Sequence, residues 1–145
     1  MADQTNKADG GKNNPALLFE DMGFALYAVN RVLDYGAEKY ERAGWKKVEQ
    51  YRYRSAKDRH KTALEVFHER YDVESGMLHR AHEACNVLFL LQLEIEDMYT
   101  EYRAGSPDPM RIEDFVRTVF GTYNPPPQTH KARRRRKKYG EKISA

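Results

Sequence analysis

The chain is 145 residues long, 40% hydrophobic and 32% charged, with one cysteine, Cys85. That length holds one core rather than two. No apolar run approaches the roughly 20 residues of a membrane span and Met1–Lys7 lacks a signal-peptide apolar region, so a soluble cytoplasmic protein is expected. A lone cysteine leaves no intrachain disulfide, which agrees with a reducing compartment. The net charge of +3 divides unevenly. The last fifteen residues hold eight Lys or Arg against Glu141, leaving 17 bases and 21 acids, or −4, in the first 130. The body is mildly acidic and the basicity is an appendage, so overall charge does not argue for a nucleic-acid-binding fold.

Residues 1–14, rich in Asn, Asp, Gly and Lys, are expected to be a disordered lead-in. Asn14-Pro15 then has the form of a helix start, with Asn as N-cap and Pro in the first turn. Phe19, Met22, Leu26, Val29 and Leu33 keep a spacing of three to four, and Gly36 is the expected stop. A short helix over 37–42 and a Gly44-Trp45 loop follow. A helix over about 50–70 places Tyr53, Ala56, His60, Ala63, Leu64 and Phe67 on one side. The acidic turn 71–74 leads into a long helix over about 76–103. Gly105-Ser106-Pro107-Asp108-Pro109 breaks it, and Ile112, Phe115, Val116 and Val119 mark a small amphipathic helix. Asn124 and Pro125–Pro127 form a stiff linker into the basic tail. No period-2 strand, glycine-rich phosphate loop or internal repeat is present. The expectation is all-α: a small antiparallel helical bundle over 15–103, a short accessory helix within 104–121, and a Pro-rich linker and basic tail over 122–145.

Four features carry chemistry. At 100° per residue, His79, His82, Glu83 and Asn86 share an arc of about 100°. Leu90 and Leu93 continue that stripe one turn on, so polar groups extend a core face. Burying them costs a few kcal/mol each unless hydrogen bonds, a metal or a ligand satisfy them. They read either as a divalent-metal or phosphate site in a bundle or as a hydrogen-bonded polar layer with His79 exposed at the helix start. His60, on an apolar face, reads as a satisfied core histidine or as a group facing that cluster. Asp72 and Glu74 suit helix capping, Mg²⁺ binding, or both. The run Lys131, Arg133, Arg134, Arg135, Arg136, Lys137 and Lys138 attracts polyanions without sequence preference, or serves as a solubilising end. Nucleophile motifs are absent, and hydrolysis by a metal-activated water is the chemistry these residue types allow.

Tyr35-Gly-Ala-Glu-Lys-Tyr40, Trp45, Arg59-His60, Asp72-x-Glu-Ser-Gly76 and His79-x-x-His-x-x-x-Asn86 occur in that order. This series resembles the phage and bacterial dATP/dGTP diphosphohydrolase-type domain of the MazG-like all-α nucleotide pyrophosphohydrolases, over about Leu17 to Glu96. Glu83 and Asn86 also have the spacing of the MazG Glu-x-x-Asp/Asn pair, although the MazG Glu-Glu-x-x-Glu run has no counterpart in the preceding helix. The resemblance implies Mg²⁺-dependent (or Mn²⁺-dependent) cleavage between the α and β phosphates of a purine deoxynucleoside triphosphate. It implies Asp72, Glu74, Glu83 and Asn86 as metal ligands, and Lys39 and Arg59 as phosphate-binding residues. It further implies Tyr40 or Trp45 against the base, His79 near the substrate, and His60 or His82 positioning the attacking water. Assembly as a dimer or tetramer is implied as well. The rival reading is a non-enzymatic helical phage accessory protein whose tail binds nucleic acid or an acidic partner.

Overall fold

A computed structural model describes residues 13–105 and 112–121 of the chain. Five α-helices run in order: α1 Ala16–Phe19, α2 Gly23–Lys39, α3 Gln50–Glu65, α4 His79–Ala104 and α5 Ile112–Phe120. A 3₁₀ turn over Gly44–Lys47 joins α2 to α3. Among the described residues there is no strand, only an isolated antiparallel bridge between Tyr71 and Leu78. The all-α expectation holds. The basic tail and most of the N-terminal lead-in lie outside the described residues.

Asn14 caps as expected: its Oδ1 accepts the Ala16 N–H at 3.1 Å. The helix it opens is only four residues long, because the chain leaves regular α geometry at Glu20–Met22 before restarting at Gly23. Gly36 is not a stop. The α2 helix continues to Lys39, and the Gly36 carbonyl accepts the Tyr40 N–H, which closes the last turn. The expected short helix over 37–42 is therefore the end of α2.

The third helix stops at Glu65, earlier than the apolar spacing implies. Phe67 donates its N–H to the Thr62 carbonyl, and His68 follows at φ 57°, turning the chain away in the manner of a left-handed helix cap. Val66 and Phe67 are left 62% and 66% exposed, so Phe67 does not continue the packed face.

The central element is α4, which packs against both α3 and α2. Contacts along α3 run Tyr53 to Phe89, His60 to His79 and Glu65 to Arg80, so the two helices are antiparallel. Val32 of α2 meets Ala81 and Cys85, and Met77 and Phe89 are packed around them. Trp45 of the 3₁₀ turn lies on Phe89 with ring centroids 4.4 Å apart and planes 20° apart. The Tyr53 hydroxyl donates to the Trp45 carbonyl, which ties that turn to α3. Cys85, only 2% exposed, has its thiol pushed up to about 11 by burial and acts as a small apolar core residue. In α5, Glu113 and Asp114 occupy the first turn, favoured by the helix dipole, and Asp114 lies 3.9 Å from Arg117 one turn on.

Candidate active site

A tight hairpin over 71–78 delivers the chemistry. It replaces the first turn that the sequence placed in the long helix, so α4 begins at His79 rather than near 76. The Asp72 carbonyl accepts the Gly76 N–H at 2.8 Å and the Asp72 N–H donates to the Met77 carbonyl at 2.7 Å. An Asp72 carboxylate oxygen accepts the Ser75 N–H at 2.8 Å. Gly76 sits at φ 70°, a conformation that favours glycine because a Cβ there is strained. The hairpin ends as the His79 N–H reaches the Arg70 carbonyl at 3.0 Å.

This geometry buries His79, His82 and Asn86, which are 5%, 9% and 9% exposed. The alternative with His79 exposed at the helix start does not hold: an extended Leu78 precedes it, and the residue is buried. The polar arc does lie inside the protein, and His60 faces it. His60 Nδ1 and His79 Nδ1 stand 2.9 Å apart, and the His60 and His82 rings stack at 4.5 Å with planes 7° apart. Ser75 Oγ lies 2.7 Å from His82 Nε2 and accepts the Met77 N–H at 3.2 Å. The hydroxyl keeps a second lone pair and its own proton, so it can meet His82 Nε2 as donor or as acceptor according to the imidazole tautomer. Ser75 is a site residue the sequence reading missed; its only signal was its place in the Asp72-to-Gly76 turn.

Burial favours the neutral form of His60 and His82. Burial, reinforced by the neighbouring His82, lowers His60 to about 4. Burial also lowers His82. Partial burial pushes the Asp72 carboxyl upward, but the hydrogen bonds from Ser75 and the adjacent imidazoles outweigh it and leave Asp72 below the ordinary carboxylate range. Among the described residues, the group whose ligand atoms all lie within 4.8 Å of one another is His60, Asp72 and His79.

The other expected site residues are placed differently. Glu74 accepts hydrogen bonds from Lys39 Nζ at 2.6 Å and from the Tyr35 hydroxyl at 3.1 Å. Its carboxyl is lowered by the Lys39 contact first and Tyr35 second. Glu83 pairs with Arg80 at 2.6 Å, and Arg80 also reaches Glu65 at 3.0 Å. Asn86 spends its amide N–H on the His82 carbonyl at 2.8 Å. Glu74 is held by Lys39 and Tyr35 and Glu83 by Arg80, whereas the Asn86 bond uses the amide nitrogen and leaves Oδ1 uncommitted by it.

Lys39 is exposed, with its ammonium 5.9 Å from the ring centres of both Tyr35 and Tyr40. Tyr40 is 65% exposed, whereas Trp45 has one face on Phe89. On the far side of α3, Arg59 lines a shallow, open depression of about 530 Å³ with Ser55, Thr62, Phe67 and Glu69. Lys39 lies beside the hairpin, and Arg59 lies close enough to His60 to act on its charge.

No helix among the described residues is long and apolar enough to cross a membrane. Neither the curated proteins nor the solved structures contain a match to the chain. A family model described as dATP/dGTP diphosphohydrolase, N-terminal, matches residues 2–103. That span includes the hairpin, all the clustered histidines, Lys39 and Arg59, and it covers most of the 145 residues. The chain belongs to the dATP/dGTP diphosphohydrolase N-terminal family.

Proposed function

We propose that the chain hydrolyses purine deoxynucleoside triphosphates between the α and β phosphates, giving the monophosphate and pyrophosphate, as part of phage nucleotide metabolism. The observation that carries this reading is the family match across the whole histidine–hairpin cluster. A divalent cation, Mg²⁺ or Mn²⁺, would neutralise the charge of the triphosphate. Asp72 and Glu74, neighbouring carboxylates on the hairpin, would face such a cation as it arrives with the nucleotide.

The chain's own side chains supply recognition and proton handling. Lys39 and Arg59 bind phosphate oxygens. Tyr40, which keeps a free ring face, takes the base in place of Trp45. Burial favours neutral His82, and in the tautomer protonated on Nδ1 its Nε2 would serve as the general base. A water that displaces the Ser75 hydroxyl from His82 Nε2 gives up its proton there as it attacks the α-phosphorus. The stack of His60 on His82 holds the plane of that ring. Incubating the purified full chain with each deoxynucleoside triphosphate and Mg²⁺ or Mn²⁺, then resolving the products by ion-pair chromatography, tests the reading. Monophosphate and pyrophosphate from dATP or dGTP are expected. No turnover of any nucleotide, or release of inorganic phosphate alone, would sink it.

Self-assembly belongs to the same proposal. Phe24 and Tyr27 of α2 are 97% and 66% exposed, and Leu88 and Leu91 of α4 are 45% and 49% exposed. Apolar surface gathered on principal helices marks a protein interface more often than bare surface. A homodimer or tetramer is expected by light scattering at micromolar concentration, and a monomeric mass there would remove the idea.

A further inference from the structure

The three side chains with close ligand atoms come from three separate places: His60 from α3, Asp72 from the hairpin and His79 from the first residue of α4. Two imidazole nitrogens about 2.1 Å from one tetrahedral ion stand about 3.4 Å apart. His60 Nδ1 and His79 Nδ1 are 2.9 Å apart, so a parting of about 0.5 Å would admit the ion between them. The carboxylate between them is fixed by the Ser75 N–H and by the hairpin's backbone bonds. Its position thus comes from the fold rather than from a mobile side chain.

A second observation concerns the other side of the His79 ring. Its Nε2 is buried and makes no hydrogen bond, an expensive state for a polar atom. A Glu69 carboxylate oxygen lies 3.8 Å away, on a side chain 56% exposed and free to swing. A metal-bound histidine donates its remote N–H to a carboxylate, which fixes the tautomer and makes the bound nitrogen more basic. Glu69 needs to move by only about 1 Å to reach ordinary hydrogen-bond distance. His79 would then present its Nδ1 lone pair to an ion and its Nε2–H to Glu69, and the unmatched atom would be satisfied.

We infer that His60, Asp72 and His79 form a binding site for a borderline transition-metal ion of the Zn²⁺ or Co²⁺ class, with Glu69 as the carboxylate behind His79. Two imidazoles and one carboxylate suit such ions, whereas Mg²⁺ prefers an all-oxygen shell and keeps its waters. The stacked His82, held by Ser75, keeps His60 from rotating away. The site stands on this geometry alone and does not depend on which nucleotide, if any, is hydrolysed.

The test is Co²⁺ titration of the chelator-treated full chain, followed by visible absorption and by the melting temperature. One equivalent is expected to produce intense d–d bands of low-coordinate Co²⁺. Stoichiometric Zn²⁺ should then displace it and raise the melting temperature, while millimolar Mg²⁺ does neither. His60→Gln and Asp72→Asn should each weaken Co²⁺ binding at least tenfold, and Glu69→Gln about tenfold, the usual size of an outer-shell effect. Because His79 is buried, its replacement is left out, and circular dichroism confirms that the three variants fold. Weak bands like those of aqueous Co²⁺, or unchanged affinity in folded His60→Gln and Asp72→Asn, would overturn the site. So would Mg²⁺ competing with Co²⁺ at comparable concentration. Absence of nucleotide turnover would leave all of these readings intact.

Discussion

Truncating Phe89 to alanine is expected to destabilise the fold by about 3 kcal/mol, the low end for loss of a packed phenylalanine because the ring is only partly buried. Phe89 is the platform on which Trp45 stacks, and Tyr53 leans on it with ring centroids 5.0 Å apart. Those contacts anchor the 3₁₀ turn to α4. Without the ring, the turn's remaining ties include the Tyr53 hydroxyl on the Trp45 carbonyl and the exposed Lys46–Glu96 ion pair. An exposed pair contributes at most about 1 kcal/mol. Trp45 is the sole tryptophan, so its emission in urea titrations reads the effect directly. The native spectrum should shift to the red as the indole gains water, and the unfolding midpoint should fall. Phe89→Leu should recover most of the loss. A change below about 1 kcal/mol in Phe89→Ala would show that the turn is held by something other than this aromatic group.

The second large effect concerns catalysis, given the proposed hydrolysis. Lys39→Ala is expected to raise KM about tenfold, or about 1.4 kcal/mol, with kcat changed less than twofold. A charged hydrogen bond to phosphate is worth more than that in isolation, but the Lys39 ammonium already serves Glu74 and must exchange one oxygen for another. The fold should barely respond, since the two side chains are 47% and 67% exposed and such a pair adds little stability. Glu74→Gln separates the two roles. It removes the competitor while keeping the ammonium, so KM should not rise. An unchanged KM in Lys39→Ala would reduce the lysine to a tether for the hairpin.

Much of this arrangement was legible in the residues. Helical spacing placed His79, His82 and Asn86 on one buried stripe and put His60 on the facing helix, because periodicity fixes which side of a helix a residue occupies. The Asn14 cap was likewise readable from its side-chain chemistry. Periodicity does not fix where a long flexible side chain ends. Glu83 shares the histidine arc, yet its carboxylate turns to Arg80, a partner three residues back on the same helix. Glu74 is adjacent in sequence to the cluster but is drawn to Lys39, 35 residues away, a long-range pairing that local spacing cannot show. Helix ends were misplaced for a similar reason. Phe67 reads as an apolar continuation of one helix and residues 76–78 as the start of the next, while the backbone turns at His68 and Gly76, both at positive φ, hand those stretches to the loop. Exposed Phe67 and buried His79 follow from that single difference.

The contact between Lys39 and Glu74 has a bearing on which form of an anion the site admits. A phosphate that takes the ammonium competes for it with the Glu74 carboxylate, and a displaced Glu74 remains close enough to Asp72 for the two charges to repel. The newcomer then faces two negative groups where it had met a neutralised pair. A naked polyphosphate gains little from that exchange. With the phosphate role proposed for Lys39, one that arrives already wrapped around a cation would give the displaced carboxylate something to face, and the corner would discriminate by counterion before any base or sugar is read.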